Sequence, residues 1–181
     1  HPLASEIGNK ILKQGGNAYH AAIAVNFALA VVYQQAGNIG GGGFMVHRQT
    51  DGSVGSIDFR EKAPIAAHQD MYLDEKGDVI SGLSQEGHLA VGVPGTVDGM
   101  VQIHSKFATM NWADLVAPAI DLAEKGFKLT SQGAVSLNSS YGSFEDNNNK
   151  EITILSQDKW EEGNHITFPD LANTLRLISI N

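Results

Sequence analysis

Gly37-Asn38-Ile39-Gly40-Gly41-Gly42-Gly43-Phe44-Met45-Val46 divides the chain into two kinds of pattern. Before it, Leu3, Ile7, Ile11 and Leu12 recur at helical spacing until Gly15-Gly16 supplies a stop. Asn17 is then placed to cap a second helix over 18–32. Ala21, Ala22, Ile23, Val25, Phe27, Leu29 and Val31 surround that helix on nearly every side, so it is expected to be buried. After the glycines the period changes to two. Phe44-Met45-Val46 opens a strand, Asp51-Gly52 turns it, and Val54 to Arg60 returns. In the returning strand Ile57 and Phe59 share one face, and Asp58 and Arg60 share the other.

Further along, a polar loop is expected over 61–86 and a short strand over Leu89 to Val93, leading into a Pro94-Gly95 turn. Thr96 is expected to cap a helix with Val97, Met100, Val101, His104 and Phe107 on one side. Asn111 should cap the next helix, Trp112 to Lys125, which Gly126 closes and which Pro118 should kink or split. Beyond it the periodicity weakens. The expectations are a polar loop from Glu145 to Lys150, a strand from Ile152 to Leu155, and a last helix capped by Asp170 with Leu171, Leu175 and Ile178. Nothing reads as an interdomain linker, so residues 1–181 are expected to be a portion of one mixed α/β (α+β) domain. A start at His1-Pro2 without an initiator Met and a stop at Asn181 inside a helical pattern suggest a piece of a longer protein.

Composition narrows the function classes. Apolar residues at 42% and charged residues at 18% describe a globular chain, and 181 residues suffice to bury a core. The net charge of −8, with arginine only at 48, 60 and 176, leaves no basic stripe for nucleic acid. The absence of cysteine removes disulfides and thiolate metal sites. The longest apolar run, from Ala21 to Val32, is interrupted by Asn26 and is too short to span a bilayer. No signal peptide is legible.

Among the motifs, the run Gly40 to Gly43 lacks the Gly-Lys-Ser/Thr ending of a phosphate loop and precedes a strand, not a helix. It reads instead as a side-chain-free crossing that lets helix and strand pack closely. The histidines at 1, 20, 47, 68, 88, 104 and 165 form no metal-ligand spacing, and the carboxylates Asp74, Glu75 and Asp78 belong to a solvated loop. Arg60 is the pointed residue. It ends a strand beside a loop, where scaffolds present site residues, and a guanidinium matches a carboxylate in two-pronged fashion. The competing reading is a surface ion pair with Asp58, and on the residues alone that reading weighs more.

Five segments, in order and at natural spacing, carry a resemblance. They are His1-Pro2-Leu3-Ala4-Ser5, Gly15-Gly16-Asn17-Ala18, Gly37 to Met45, Ile57-Asp58-Phe59-Arg60-Glu61-Lys62-Ala63-Pro64, and Gly92-Val93-Pro94-Gly95-Thr96-Val97. The series resembles the N-terminal part of the large subunit of the gamma-glutamyltransferase (glutathione hydrolase) family, densely over residues 1–130 and more thinly over 131–181. His20, Ala108 and Asn111 stand where the family usually has Asp, Gly and Pro. These read as packing and turn variation, with His20 able to shift a buried hydrogen bond.

The resemblance implies an N-terminal-nucleophile hydrolase with an αββα sandwich, of which this chain is an incomplete part. It implies a precursor that cleaves itself, so that the small subunit is the partner and its new N-terminal threonine attacks the γ-glutamyl amide. None of Thr50, Thr96, Thr109, Thr130, Thr153, Thr167 and Thr174 lies in a Thr-Thr-His context. No catalytic residue is therefore expected within this chain, and the fragment alone is expected to be inactive. By resemblance Arg60 becomes the substrate-binding residue that holds the α-carboxylate of the glutamyl group, which reverses the reading from the residues alone. No metal or organic cofactor is implied, and a periplasmic or secreted location is inferred from the family. The alternatives are a poly-γ-glutamate hydrolase or acylase of the same fold, or a non-catalytic carboxylate-binding module.

Overall fold

His1 and Pro2 start the first helix as their chemistry allows. The His1 ring accepts a hydrogen bond at Nδ1 from the Leu3 amide at 3.3 Å, while Pro2, with no amide hydrogen to leave unpaired, takes the first turn. In the computed structural model, which describes residues 1–148 and 151–180, helix α1 runs Pro2–Lys13. Ala4, Gly8 and Ile11 form its buried face. Gly8 permits a close crossing with the following helix, since a Cβ there would come within 2.8 Å of Val25 Cγ2.

Helix α2, Ala18–Val32, begins at the expected cap: Asn17 Oδ1 accepts from the Tyr19 and His20 amides, each at 3.0 Å. Its apolar circumference is explained by its neighbours. It packs on α1, on α3 (Thr96–Phe107) and on α4 (Trp112–Lys125) at once. Ile23, Phe27 and Val31 are wholly buried, each such side chain contributing roughly 1.5–3 kcal/mol. α4 in turn packs on α6, Pro169–Ile180, where the Trp112 indole N–H donates to the Ile178 carbonyl at 2.8 Å. The order α1, α2, α4, α6 thus makes a continuous helical layer.

Strands β1, Phe44–Arg48, and β2, Val54–Asp58, pair antiparallel with Phe44 opposite Asp58 and Arg48 opposite Val54. The turn between them uses Gly52 at φ 89°, where a side chain would be strained. A second pair joins β3, Phe127–Lys128, to β4, His165–Ile166. Helix α5, Ser131–Asn147, lies between them in sequence.

Several expectations are corrected. β2 stops at Asp58, short of Arg60, because the Asp58 carboxylate accepts the Arg60 amide at 3.0 Å and draws it off the ladder. Leu89 to Val93 is not a strand. Only Val93 finds a partner, Lys62, and His88–Ala90 closes into a 3-10 turn. Thr96 is the first helical residue of α3 and not its cap, which is Gly95. The Gly41 carbonyl takes both the Gly95 and Thr96 amides, at 2.8 and 3.0 Å. The buried face of α3 is Thr96, Gly99, Met100 and Ile103, whereas Val101 is exposed.

Pro118 does not split α4, which runs as one helix because Leu115, Val116, Ala119 and Ala123 are wholly buried around it. Glu145 to Asn147 belong to α5, not to a loop, while Asn149 and Lys150 lie outside the described residues. Thr153–Leu155 is a 3-10 turn, not a strand, and the Ile154 carbonyl accepts from the Trp160 indole at 2.8 Å. α6 begins at Pro169, so Asp170 sits inside its first turn, where a carboxylate suits the helix dipole.

Candidate substrate-carboxylate site

Phe59 fixes the site. It is buried, and glycines make the room for it: a Cβ at Gly99 would come within 2.2 Å of the ring, and one at Gly43 within 3.0 Å. Its carbonyl is just as confined, since a Cβ at Gly95 would stand 2.0 Å from the oxygen. With residue 59 locked inward, residue 60 follows it just past the strand end and is exposed.

Arg60 accordingly lies outward, its side chain 64% exposed. The guanidinium stands 6.0 Å from the centroid of the Phe44 ring. Its nearest carboxylate is Glu61, with Nη2 and Oε1 3.7 Å apart, longer than a hydrogen bond. The expected rival, an ion pair with Asp58, does not form; the Asp58 carboxylate accepts instead from the Arg60 backbone amide at 3.0 Å. Among the described residues, then, Arg60 has no hydrogen-bonded acid. A cleft of about 490 Å³ opens beside it, lined by Arg60, Lys62, Glu61, Asp98 and Gln102 over a Pro94-Gly95 floor. Asp98 is engaged by the Gln102 amide at 2.7 Å.

The glycine run forms the back of this site. None of Gly40 to Gly43 has a positive φ, so no left-handed turn requires them; Gly42 and Gly43 are needed for closeness, whereas a Cβ at Gly40 would meet nothing within 4 Å. A Cβ at Gly42 would come 2.5 Å from the Glu61 amide nitrogen and 2.7 Å from Arg60 Cα. The close crossing read from the sequence is found at Gly42 and Gly43, but its neighbour is the Phe59–Glu61 segment and not a helix, and at Gly42 it backs directly onto Arg60. Gly99 was not read as part of the support. Its signal was a glycine inside a helical pattern, which costs stability unless packing requires it.

A larger cleft of about 670 Å³ lies between α1 and α4 and involves neither the hairpin nor α3. Its lining includes Ile7, Ile11, Pro118 and Leu122, and two of its wall charges pair with each other, Lys125 with Asp121 at 2.8 Å. That hydrogen bond raises the Lys125 pKa above its ordinary value. No group of three potential metal ligands occurs among the described residues.

The gamma-glutamyltranspeptidase family model matches residues 4–181. The chain belongs to the gamma-glutamyltranspeptidase family. The glutathione hydrolase proenzyme of Pseudomonas sp. strain A14 is 50% identical over 179 residues, 98% of this chain and 31% of that protein. The crystal structure of Helicobacter pylori gamma-glutamyltranspeptidase superposes with a TM-score of 0.92 at 44% identity, covering 99% of this chain and 52% of the solved one. The gamma-glutamyltranspeptidase of Pseudomonas nitroreducens complexed with L-DON gives 0.91 at 41% identity, over 100% and 53%. The chain thus spans about a third of the length of its curated relatives, and the fold is the corresponding part of the gamma-glutamyltranspeptidase fold.

Proposed function

We propose that this chain is part of the large subunit of a γ-glutamyl transferase and hydrolase acting on glutathione and related γ-glutamyl compounds, with Arg60 as the anchor for the α-carboxylate of the glutamyl group. The observation that carries the reading is the presentation of Arg60. Its backbone is held by a buried Phe59 and by glycine contacts, while its guanidinium faces a cleft without a hydrogen-bonded acid of its own. Such a cation is available to a carboxylate that arrives from solution, on a backbone already fixed in place.

In this reading the chemistry comes from a threonine outside residues 1–181, freed as the N-terminus of a small subunit when the precursor cleaves itself. Its own α-amine then serves as base, and the acyl-enzyme passes to water or to an acceptor amine. The chain's own contribution is binding and orientation. A periplasmic or secreted site of action is part of the same proposal.

The test uses the full-length, self-processed protein and a chromogenic γ-glutamyl anilide. Arg60→Ala should lower kcat/KM about ten- to a hundredfold, the loss of one charge-assisted hydrogen bond, while subunit cleavage proceeds. An unchanged kcat/KM, or a fall only in step with failed cleavage, overturns the anchor assignment. Purified residues 1–181 should show no turnover above buffer.

A further inference from the structure

Helix α2 contains one side chain at odds with its surroundings. Among the described residues, Asn26 Oδ1 is the only buried side-chain nitrogen or oxygen with no hydrogen-bond partner. Buried acceptors in folded proteins are almost always satisfied, by protein or by ordered water. Asn26 does not abut a solid wall. It borders a cavity of about 180 Å³ together with Asn38, Gly42, Thr96 and Tyr33. A water molecule needs a share of about 30 Å³ and two to four polar partners. Asn26, Asn38 and Thr96 bring two amides and a hydroxyl to the cavity lining, and Thr96 is only 3% exposed.

The position of this cavity gives it a consequence. Its Gly42 wall is one peptide thick. The other side of that peptide is Arg60, whose Cα a Gly42 Cβ would approach to 2.7 Å. The glycine run has no side chains with which to hold itself, and glycine backbone has the widest conformational choice of any residue. One link is already visible: the Gly41 carbonyl accepts the amides of Gly95 and Thr96. The side of the run facing α2 has Asn26.

We propose that Asn26, with Asn38 and Thr96, holds an ordered water behind the glycine run and thereby acts as a positioning residue for Arg60. The inference rests on the reading of Arg60 as carboxylate anchor. Asn26 touches no substrate in this arrangement. The water ties α2 to the N-terminus of α3 across the glycine segment, and the segment sets where the guanidinium begins.

The experiment is kinetic and structural, on the full-length processed protein with a γ-glutamyl anilide. Asn26→Leu has nearly the same shape and cannot accept a hydrogen bond. It should raise KM about three- to tenfold, the cost of a slightly misplaced anchor, with kcat and Tm close to wild type. Thr96→Val should do the same and carries the test alone if Asn26→Leu fails to fold. The double variant should be no worse than either single one, because both remove the same water. A high-resolution structure should place a water within hydrogen-bond distance of Asn26 Oδ1. An unchanged KM in Asn26→Leu, additive effects in the double variant, or an Oδ1 bonded to a protein group overturns the assignment. Arg60→Ala separates the two levels. If it raises KM while Asn26→Leu does not, only the Asn26 role falls; if it leaves KM unchanged, the anchor reading fails and this role falls with it.

Discussion

Helix α2 and the segment from Gly40 to Thr96 are held in place by different physics. α2 is held by apolar burial on three sides, with Ile23, Ala24, Phe27, Ala28 and Val31 all at 0% exposure. The segment carries little of that. Val46, Val54, Ile65, Val79 and Val91 are exposed along it, and only Ile57, Phe59 and Thr96 are fully inside. Backbone hydrogen bonds and glycine-enabled closeness do the holding instead: Gly95 and Thr96 to Gly41, Phe59 to Gly43 at 3.0 Å, and Lys62 with Val93 at 3.1 and 2.7 Å. On the proposed reading of Arg60, the difference separates where stability and recognition reside. Burial energy is diffuse and tolerant of approximate shape, whereas the position of one guanidinium depends on a few contacts that store little energy.

That contrast can be broken from either side. The largest effect is expected at Phe27, which is wholly buried and meets Trp112 edge-on at 5.5 Å between ring centroids. Phe27→Ala should cost about 3–5 kcal/mol of stability, read from denaturant unfolding. The fraction that remains folded should bind a γ-glutamyl substrate as before, and a KM that changes in proportion to stability would erase the distinction between the two regions.

Arg60 is the opposite case. If it anchors the substrate as proposed, losing that contact should cost about 1.5–3 kcal/mol in transition-state binding, yet its exposed side chain should add almost nothing to Tm. Arg60→Lys should recover part of the activity but not all, since a point charge cannot reproduce a two-pronged contact. Full recovery in Arg60→Lys would show that charge alone suffices. Gly99→Ala tests the link between the regions. Its new Cβ would meet the Phe59 ring at 2.2 Å, so about 1–3 kcal/mol of overpacking is expected. Unlike the other two variants it should lower Tm and raise KM together, and separation of those two readouts would argue against Phe59 as the fixing residue.

The sequence carried the helical layer well because period and caps agreed there. Asn17, Asn111 and Gly126 sit where their side chains or lack of one predict, and the bounds of α2 and α4 follow. It carried less where tertiary contacts override local signals. Thr96 looks like a cap, but the Gly41 carbonyl had already taken the amides at that end. Helix α5 was not legible because only Ala134 and Leu137 are buried along its length. It is tethered through Asn138, whose amide pairs twice with the Trp160 backbone at 2.8 Å. Arg60 stands out in the sequence, whereas the turn in which Asp58 accepts the Arg60 backbone amide, and not its guanidinium, is visible only in the structure. Asn26 stood out in the sequence as the polar break in an apolar run, but only the cavity beside it shows what the break faces.

The smallest effect belongs to His20, within the stable region. The ring is 2% exposed and meets three amide donors: Asn17 at Nδ1, 2.8 Å away, and Thr109 and Met110 at Nε2, at 2.7 and 3.0 Å. A neutral imidazole offers a lone pair on one nitrogen only, and an imidazolium offers none. The site therefore suits an acceptor and resists a proton. Burial first, and the neighbouring His104 second, push the His20 pKa below its ordinary value. His104 lies on α3 with its Nε2 at 2.8 Å from the Met110 carbonyl, to which it must donate, so the two rings grip the same residue from opposite sides. The sign of the pH effect follows. The unfolded chain takes up a proton near pH 6.5 while the folded ring refuses it, so this contribution is complete above about 6.5 and declines as the pH falls toward the lowered folded value. One proton limits the slope to about 1.4 kcal/mol per pH unit. His20→Asp replaces the ring with a carboxylate, which accepts from amides without needing to stay neutral, and should flatten the decline between pH 7 and 5. The measurement is Tm against pH for both proteins. Parallel profiles would mean that the acid sensitivity arises elsewhere and that the donors around His20 rearrange at no cost.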